Sequence, residues 1–136
     1  MDVVINYGAV LGAAIANMVV GSLWYGPVFG KAWRRMMNFS EQDMRSMKMT
    51  AGQAMVGGFI TALLMAYVLA HFVSLVGVVT RADAFQLAFW SWLGLIATTQ
   101  AGSVLWEGKS WKLFFLNTAQ SLISIVIMVM ILAHWQ

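Results

Sequence analysis

Gly21-Ser22-Leu23-Trp24-Tyr25-Gly26-Pro27-Val28-Phe29-Gly30-Lys31-Ala32-Trp33 is the stretch on which the fold turns. No charge precedes it back to Val3, and it leads into the first basic cluster, Lys31, Arg34 and Arg35. It holds the only proline of the chain and two tryptophans. An uncharged run closed by aromatics and then by cations reads as a helix leaving a membrane. About 20 apolar residues cross a hydrocarbon core of ~30 Å, and tryptophan and tyrosine gather at its edges.

The composition agrees. Of 136 residues, 61% are hydrophobic and 10% charged, against about a quarter charged in a water-soluble domain. The charges cluster and leave several uncharged stretches of 20 or more residues. No ten-residue stretch alternates polar with apolar as a barrel strand would, so the spans are helices. With no cysteine, disulfides and thiolate metal sites are excluded. The net charge of +3 lies in loops, where it sets orientation and headgroup contact; no nucleic-acid partner, metal or cofactor is expected. Asp2 stands where a basic leader would begin, so the first span is expected to stay in the mature protein.

The pattern predicts an all-α integral membrane protein forming one domain over residues 1–136: a four-transmembrane-helix bundle with spans at about 3–25, 49–76, 84–106 and 112–135. The segment of about 27–48 is interfacial or cytoplasmic. Gly26 before Pro27 is expected to stop span one, and Pro27 to open a short interfacial helix reaching about residue 37. On it Phe29 and Trp33 dip into lipid while Lys31, Arg34 and Arg35 face phosphates. Ser40 with Asp43 is the expected cap of a further helix, carrying Arg45 and Lys48, that runs on into span two.

Two small-residue stripes predict close helix contacts: Gly8, Gly12 and Ala16 on span one, and Ala54, Gly58, Ala62, Ala66 and Ala70 on span two. A loop centred on Thr80 to Asp83 and a tight turn over 107–111 separate the later spans. Seven basic residues (Lys31, Arg34, Arg35, Arg45, Lys48, Lys109, Lys112) flank the loops after spans one and three, and Arg81 stands alone opposite. Both termini are therefore expected outside, and any homo-oligomer parallel. Trp24, Trp33, Trp106 and Trp111 fall to the inner interface, Trp90, Trp92 and Trp135 towards the outer one. A weak parallel repeat pairs Gly21 to Trp24, Gly26, Lys31 and Trp33 with Gly102 to Trp106, Gly108, Lys109 and Trp111.

The polar side chains inside the spans carry the functional reading. Asn17, Gln53, Gln100, Ser103, Glu107, Asn117, Gln120 and Ser121 all fall in the inner half, and Ile125 to Ala133 holds no polar side chain. An amide facing lipid costs several kcal/mol, so these groups face inward. Interhelical hydrogen bonding is one reading; a cytoplasm-facing cavity roofed by the first loop, taking a small solute or a lipid headgroup, is the other. Glu107 reads as an interfacial partner for Lys109, Lys112 or Arg34 rather than a proton carrier. His71 and His134 lie near outer span ends without helical metal-ligand spacing, and the methionines at 36, 37, 44, 47 and 49 read as interfacial packing. No nucleophile–base set, phosphate loop or dinucleotide fingerprint is present, so no enzyme is expected.

Asn6, the run from Gly21 to Trp33, Phe89-Trp90-Ser91-Trp92-Leu93-Gly94, and the stretch from Leu105 to Thr118 resemble the bacterial membrane family called domain of unknown function 1761. The resemblance covers nearly the whole chain. It implies a small four-helix protein of the bacterial inner membrane with no established activity, and makes Asn6, Trp24, Tyr25, Pro27, Trp33, Trp111 and Asn117 the family positions. Two function classes follow: a transporter or binding protein for a small solute or lipid, using the inner polar cluster, or a structural protein acting by assembly with itself or a partner. Expected partners are the bilayer, anionic headgroups on the inner side, and a second copy.

Overall fold

The computed structural model describes residues 3–37 and 50–135, and every regular element among them is helical. Helix α1 spans Tyr7–Leu23; a π-helical turn, Trp24–Val28, joins it to α2, Gly30–Met37. Helix α3 is Ala51–Val76 and α4 is Arg81–Ser91. A second π-helical turn, Trp92–Ala97, leads through α5 (Thr98–Gln100) and α6 (Gly102–Leu105) to the last helix, α7, Trp111–His134.

Each long helix starts on a side chain that accepts an otherwise orphaned amide. Asn6, Thr50, Thr80 and Ser110 take the N–H groups of Ala9, Gln53, Asp83 and Leu113, each at 3.1 Å. Such caps matter most near lipid, where no water replaces a missing partner. Tyr7–Val28, Ala51–Val76 and Trp111–His134, of 22, 26 and 24 residues, are long and apolar enough to cross a membrane.

Helix α7 is the hub: α1, α3 and α4 all pack on it, and α1 packs on α3. The core gathers at one end of the bundle, where Ala9, Ala13 and Ala14 of α1 meet Ala62 and Ala66 of α3 and Met128 and Val129 of α7. Alanine lets the backbones approach, so dispersion contacts replace the hydrophobic drive that lipid cannot supply. Large apolar side chains such as Leu11, Ile15, Val56, Ile60 and Leu64 point outward instead.

Several expectations change. Pro27 does not end the helix: it sits inside the π-turn, where Phe29 N–H donates to the Trp24 carbonyl at 2.8 Å. Proline lacks an N–H and its ring crowds the carbonyl four residues back, and the wider turn absorbs both defects without breaking the helix. Helix α3 has its own start instead of running on from the segment before it. It starts afresh on an extended Thr50, in a capping box with Gln53. Ser40, Asp43, Met44, Arg45, Met47, Lys48 and Met49 lie outside the described residues, as does Asp2.

The expected third span is divided. Beside its wide turn the hydroxyls of Thr98 and Thr99 donate to the carbonyls of Gly94, Leu95 and Ile96 at 2.7 to 2.9 Å. Trp92, expected at the outer interface, is half-buried, and its indole N–H donates at 2.8 Å to the Thr118 carbonyl of α7.

The small-residue stripe of α1 also finds an unexpected partner. A Cβ on Gly8 or Gly12 would lie 3.5 or 3.0 Å from the Trp135 ring, so this stripe receives an indole rather than another helix backbone. Ala62, Ala66 and Ala70 are buried within the protomer, Gly58 touches Met18, and Ala54 is exposed. The two arms of the weak repeat differ too. Trp24 is tied to α7, whereas Trp106 is 88% exposed and its chain reverses at Gly108, whose φ of 72° suits glycine.

Candidate functional site

At the end of the bundle away from the alanine core, α7 presents Asn117, Gln120 and Ser121 over little more than one turn. The π-turn brings Tyr25 to them: its hydroxyl donates to Asn117 Oδ1 at 2.8 Å, while the Trp24 indole donates to the Leu116 carbonyl at 3.1 Å. One widened turn thus aims two neighbouring aromatics at α7 in different directions. Gly30 makes the following bend possible. A Cβ there would lie 2.7 Å from the Tyr25 carbonyl oxygen, so the chain passes only because the position has no side chain.

Helix α2 then swings Trp33 against Tyr25, ring centres 5.5 Å apart and edge to face. From the other side Gln100 of α5 donates through Nε2 to Ser121 Oγ at 3.3 Å, and Ser103 donates to the Gln100 carbonyl at 2.8 Å. Ser121 in turn donates to the Asn117 carbonyl at 3.1 Å. Between these groups lies a cleft of ≈ 610 Å³, completed by Met37 and Phe114.

Five of the eight residues singled out from the sequence therefore line one cleft: Gln100, Ser103, Asn117, Gln120 and Ser121. Asn17 is elsewhere, accepting a hydrogen bond from Ser124 across the α1–α7 contact. Gln53 is exposed and serves the cap of α3, its Oε1 accepting from Thr50 N–H at 3.1 Å. Glu107 is exposed in the turn before α7, and among the described residues it forms no ion pair with Lys109, Lys112 or Arg34. Arg34 instead donates from Nε to the Gly30 carbonyl at 3.4 Å; Lys31 and Arg35 are exposed, and Trp111 packs on Phe114 and Phe115.

Tyr25 and Trp33, read from the sequence as anchors, are cleft walls. Phe114 and Met37 carried no signal that separates them from other apolar interface residues.

The polar groups of the cleft are not all engaged. Gln120 has no hydrogen-bond partner among the described residues, Asn117 uses only its oxygen, and Gln100 uses only its nitrogen. His71 is hydrogen-bonded through Nδ1 to the Tyr67 carbonyl at 2.8 Å, and His134 is exposed at the end of α7. No group of three metal-ligating side chains forms among the described residues.

Comparison with curated proteins finds no match, and comparison with solved structures finds none. The family model described as "Protein of unknown function (DUF1761)" matches residues 8–133, the π-turn, the cleft and all but the end residues Tyr7 and His134 of the three crossing-length helices included, and the chain belongs to that family.

Proposed function

We propose that the protein is a multi-pass protein of the bacterial inner membrane that binds a small solute or a lipid headgroup in the cleft between Tyr25, Gln100 and Asn117, as a receptor or as part of a transport cycle. The observation that carries this is the free hydrogen-bonding capacity of Gln120 and Asn117 at the wall of a ≈ 610 Å³ cleft. Amides at such a position cost several kcal/mol unless a ligand or water meets them, and the volume suits a small ligand.

In this reading the helical run from α4 through α6 makes a fourth crossing, supported by the absence of charge between Ala84 and Trp106. Helix α2 lies in the interface with Lys31 and Arg35 towards anionic headgroups. The seven-to-one distribution of basic residues supports both termini outside and the cleft open to the cytoplasm. A parallel homo-oligomer belongs to the same proposal, supported by the exposed apolar face of α3 at Met55, Val56, Ile60 and Leu64.

Native mass spectrometry of protein extracted in mild detergent tests the binding role. A co-purifying small molecule retained by the wild type and lost in Gln120→Leu, with helicity unchanged, is the expected result. Retention of the same adduct in Gln120→Leu and Asn117→Leu removes the cleft from consideration.

A further inference from the structure

We infer that the cleft takes an uncharged, hydroxyl-bearing ring, a sugar unit either free or as the headgroup of a glycolipid; this rests on reading the cleft as a binding site. The first observation is charge. None of the described residues lining the cleft is ionisable in the physiological range: they are three amides, two serine hydroxyls, three aromatic rings and Met37. Of the cations close in sequence, Lys31 and Arg35 are exposed on α2, Lys112 is exposed at the start of α7, and Arg34 is turned back on Gly30.

The second observation is which hydrogen-bonding atoms are left over. Tyr25 occupies Asn117 Oδ1 and leaves its Nδ2 with two donors. Gln100 gives its Nε2 to Ser121 and leaves Oε1 as an acceptor. Gln120 leaves both ends. Donors and acceptors are thus both left over among the residues that line the cleft. A phosphate or carboxylate is acceptor-only and would meet the carbonyl oxygens of Gln100 and Gln120 with no counter-charge. An ammonium is donor-only and would meet the Asn117 and Gln120 amide nitrogens. A hydroxyl both donates and accepts, and several on one ring match a mixed set.

The third observation is the walls. Tyr25 and Trp33 meet edge to face beside the Gly30 bend, and Phe114 lines the same cleft. Aromatic walls of this kind suit the C–H groups of a sugar ring. A volume of ≈ 610 Å³ accommodates one or two such rings.

The test uses the full-length protein in phosphatidylcholine nanodiscs, with four probes: methyl-β-glucoside in solution, and monoglucosyl-diacylglycerol, phosphatidylglycerol or phosphatidylethanolamine in the bilayer. Thermal shift and native mass spectrometry read binding, and circular dichroism confirms that each variant folds. The expected result is binding of a glucosyl probe, weakened roughly tenfold in Gln120→Leu and partly restored in Gln120→Asn. Binding of the glucoside alone makes the ligand a soluble sugar; binding of the glucosyl lipid alone makes it a headgroup.

Preference for phosphatidylglycerol or phosphatidylethanolamine, lost in Gln120→Leu, overturns the uncharged-sugar assignment and leaves the cleft a binding site. Binding indifferent to both Gln120 variants, or none to any probe, overturns the sugar assignment; if the adduct that co-purifies is equally indifferent, the cleft reading falls with it.

Discussion

The Tyr25 hydroxyl and the Asn117 carboxamide oxygen, 92 residues apart in sequence, meet at 2.8 Å. This bond ties the turn that follows α1 to the polar face of α7 and leaves the Asn117 amide nitrogen unused. Tyr25→Phe removes only that oxygen. The expected cost is about 0.6 kcal/mol, with ~1.7 kcal/mol as the upper range for such bonds in membrane proteins. A double-mutant cycle with Asn117→Ala, read by reversible unfolding in micelles, measures it; strict additivity of the two changes would show the bond to be energetically idle.

Gly30 is the most demanding position of the turn. Gly30→Ala puts a methyl 2.7 Å from the Tyr25 carbonyl oxygen, backbone that cannot rotate away. The expected loss is about 1–3 kcal/mol. Gly26→Ala, with nothing within 4 Å of the new methyl, is the control and stays neutral. Equal stabilities of the two variants would contradict the close approach.

Asn6 does two jobs. Its oxygen caps α1 at Ala9, and its Nδ2 donates at 2.9 Å to the Trp135 carbonyl. Asn6→Ala loses both, about 1 kcal/mol for the cap and ~0.6 kcal/mol for the second bond. Asn6→Ser keeps the cap and loses the smaller part. Thermal unfolding of the three proteins should rank Asn, then Ser, then Ala; Ser and Ala falling together would remove the cap from the explanation.

Ala66 is fully buried between helices of one protomer, whereas Gly57 has open space around it. Ala66→Leu should destabilise by about 1–3 kcal/mol through overpacking, and Gly57→Leu should not. A drop in oligomer mass in Ala66→Leu, with unchanged unfolding, would instead place the α3 stripe between protomers.

Asp83 supplies the pH dependence. The Thr80 and Val79 amides, at 3.1 and 3.3 Å, and the Thr80 side chain hold its carboxyl below the usual carboxylate range. The folded pKa is depressed, so the stabilisation is present above the unfolded value and is lost as pH falls through the folded one. Asp83→Asn keeps an acceptor for the cap without the titration. Its unfolding midpoint should fall less steeply with acid than that of the wild type, and superimposed profiles would exclude Asp83 as a contributor.

The long helices were legible because unbroken apolar runs have one solution in lipid. The polar arc of α7 was legible for the same reason: Asn117, Gln120 and Ser121 share a face, and that face has to meet something. What could not be read was the choice of partner. Gly8 and Gly12 announce a close approach but not that Trp135 makes it. Trp92 has the same local sequence whether it sits at an interface or donates to α7. Pro27 reads as a stop, and stays helical because Trp24 and Tyr25, bonded to α7, hold the widened turn in place. Thr50 with Gln53 and Thr80 with Asp83 are capping signatures that the sequence carries openly, a Thr followed three residues on by a side chain that reaches back.

The tryptophans that open the two π-turns have a mechanical consequence. Trp24 and Trp92 donate to the carbonyls of Leu116 and Thr118, two positions apart and so roughly 200° around α7. A one-residue slide of α7 along its axis, ~1.5 Å, would pull both indoles off their acceptors together. Piston motion of α7 therefore costs both bonds at once, one on each flank, and Asn117 lies between the two clasps.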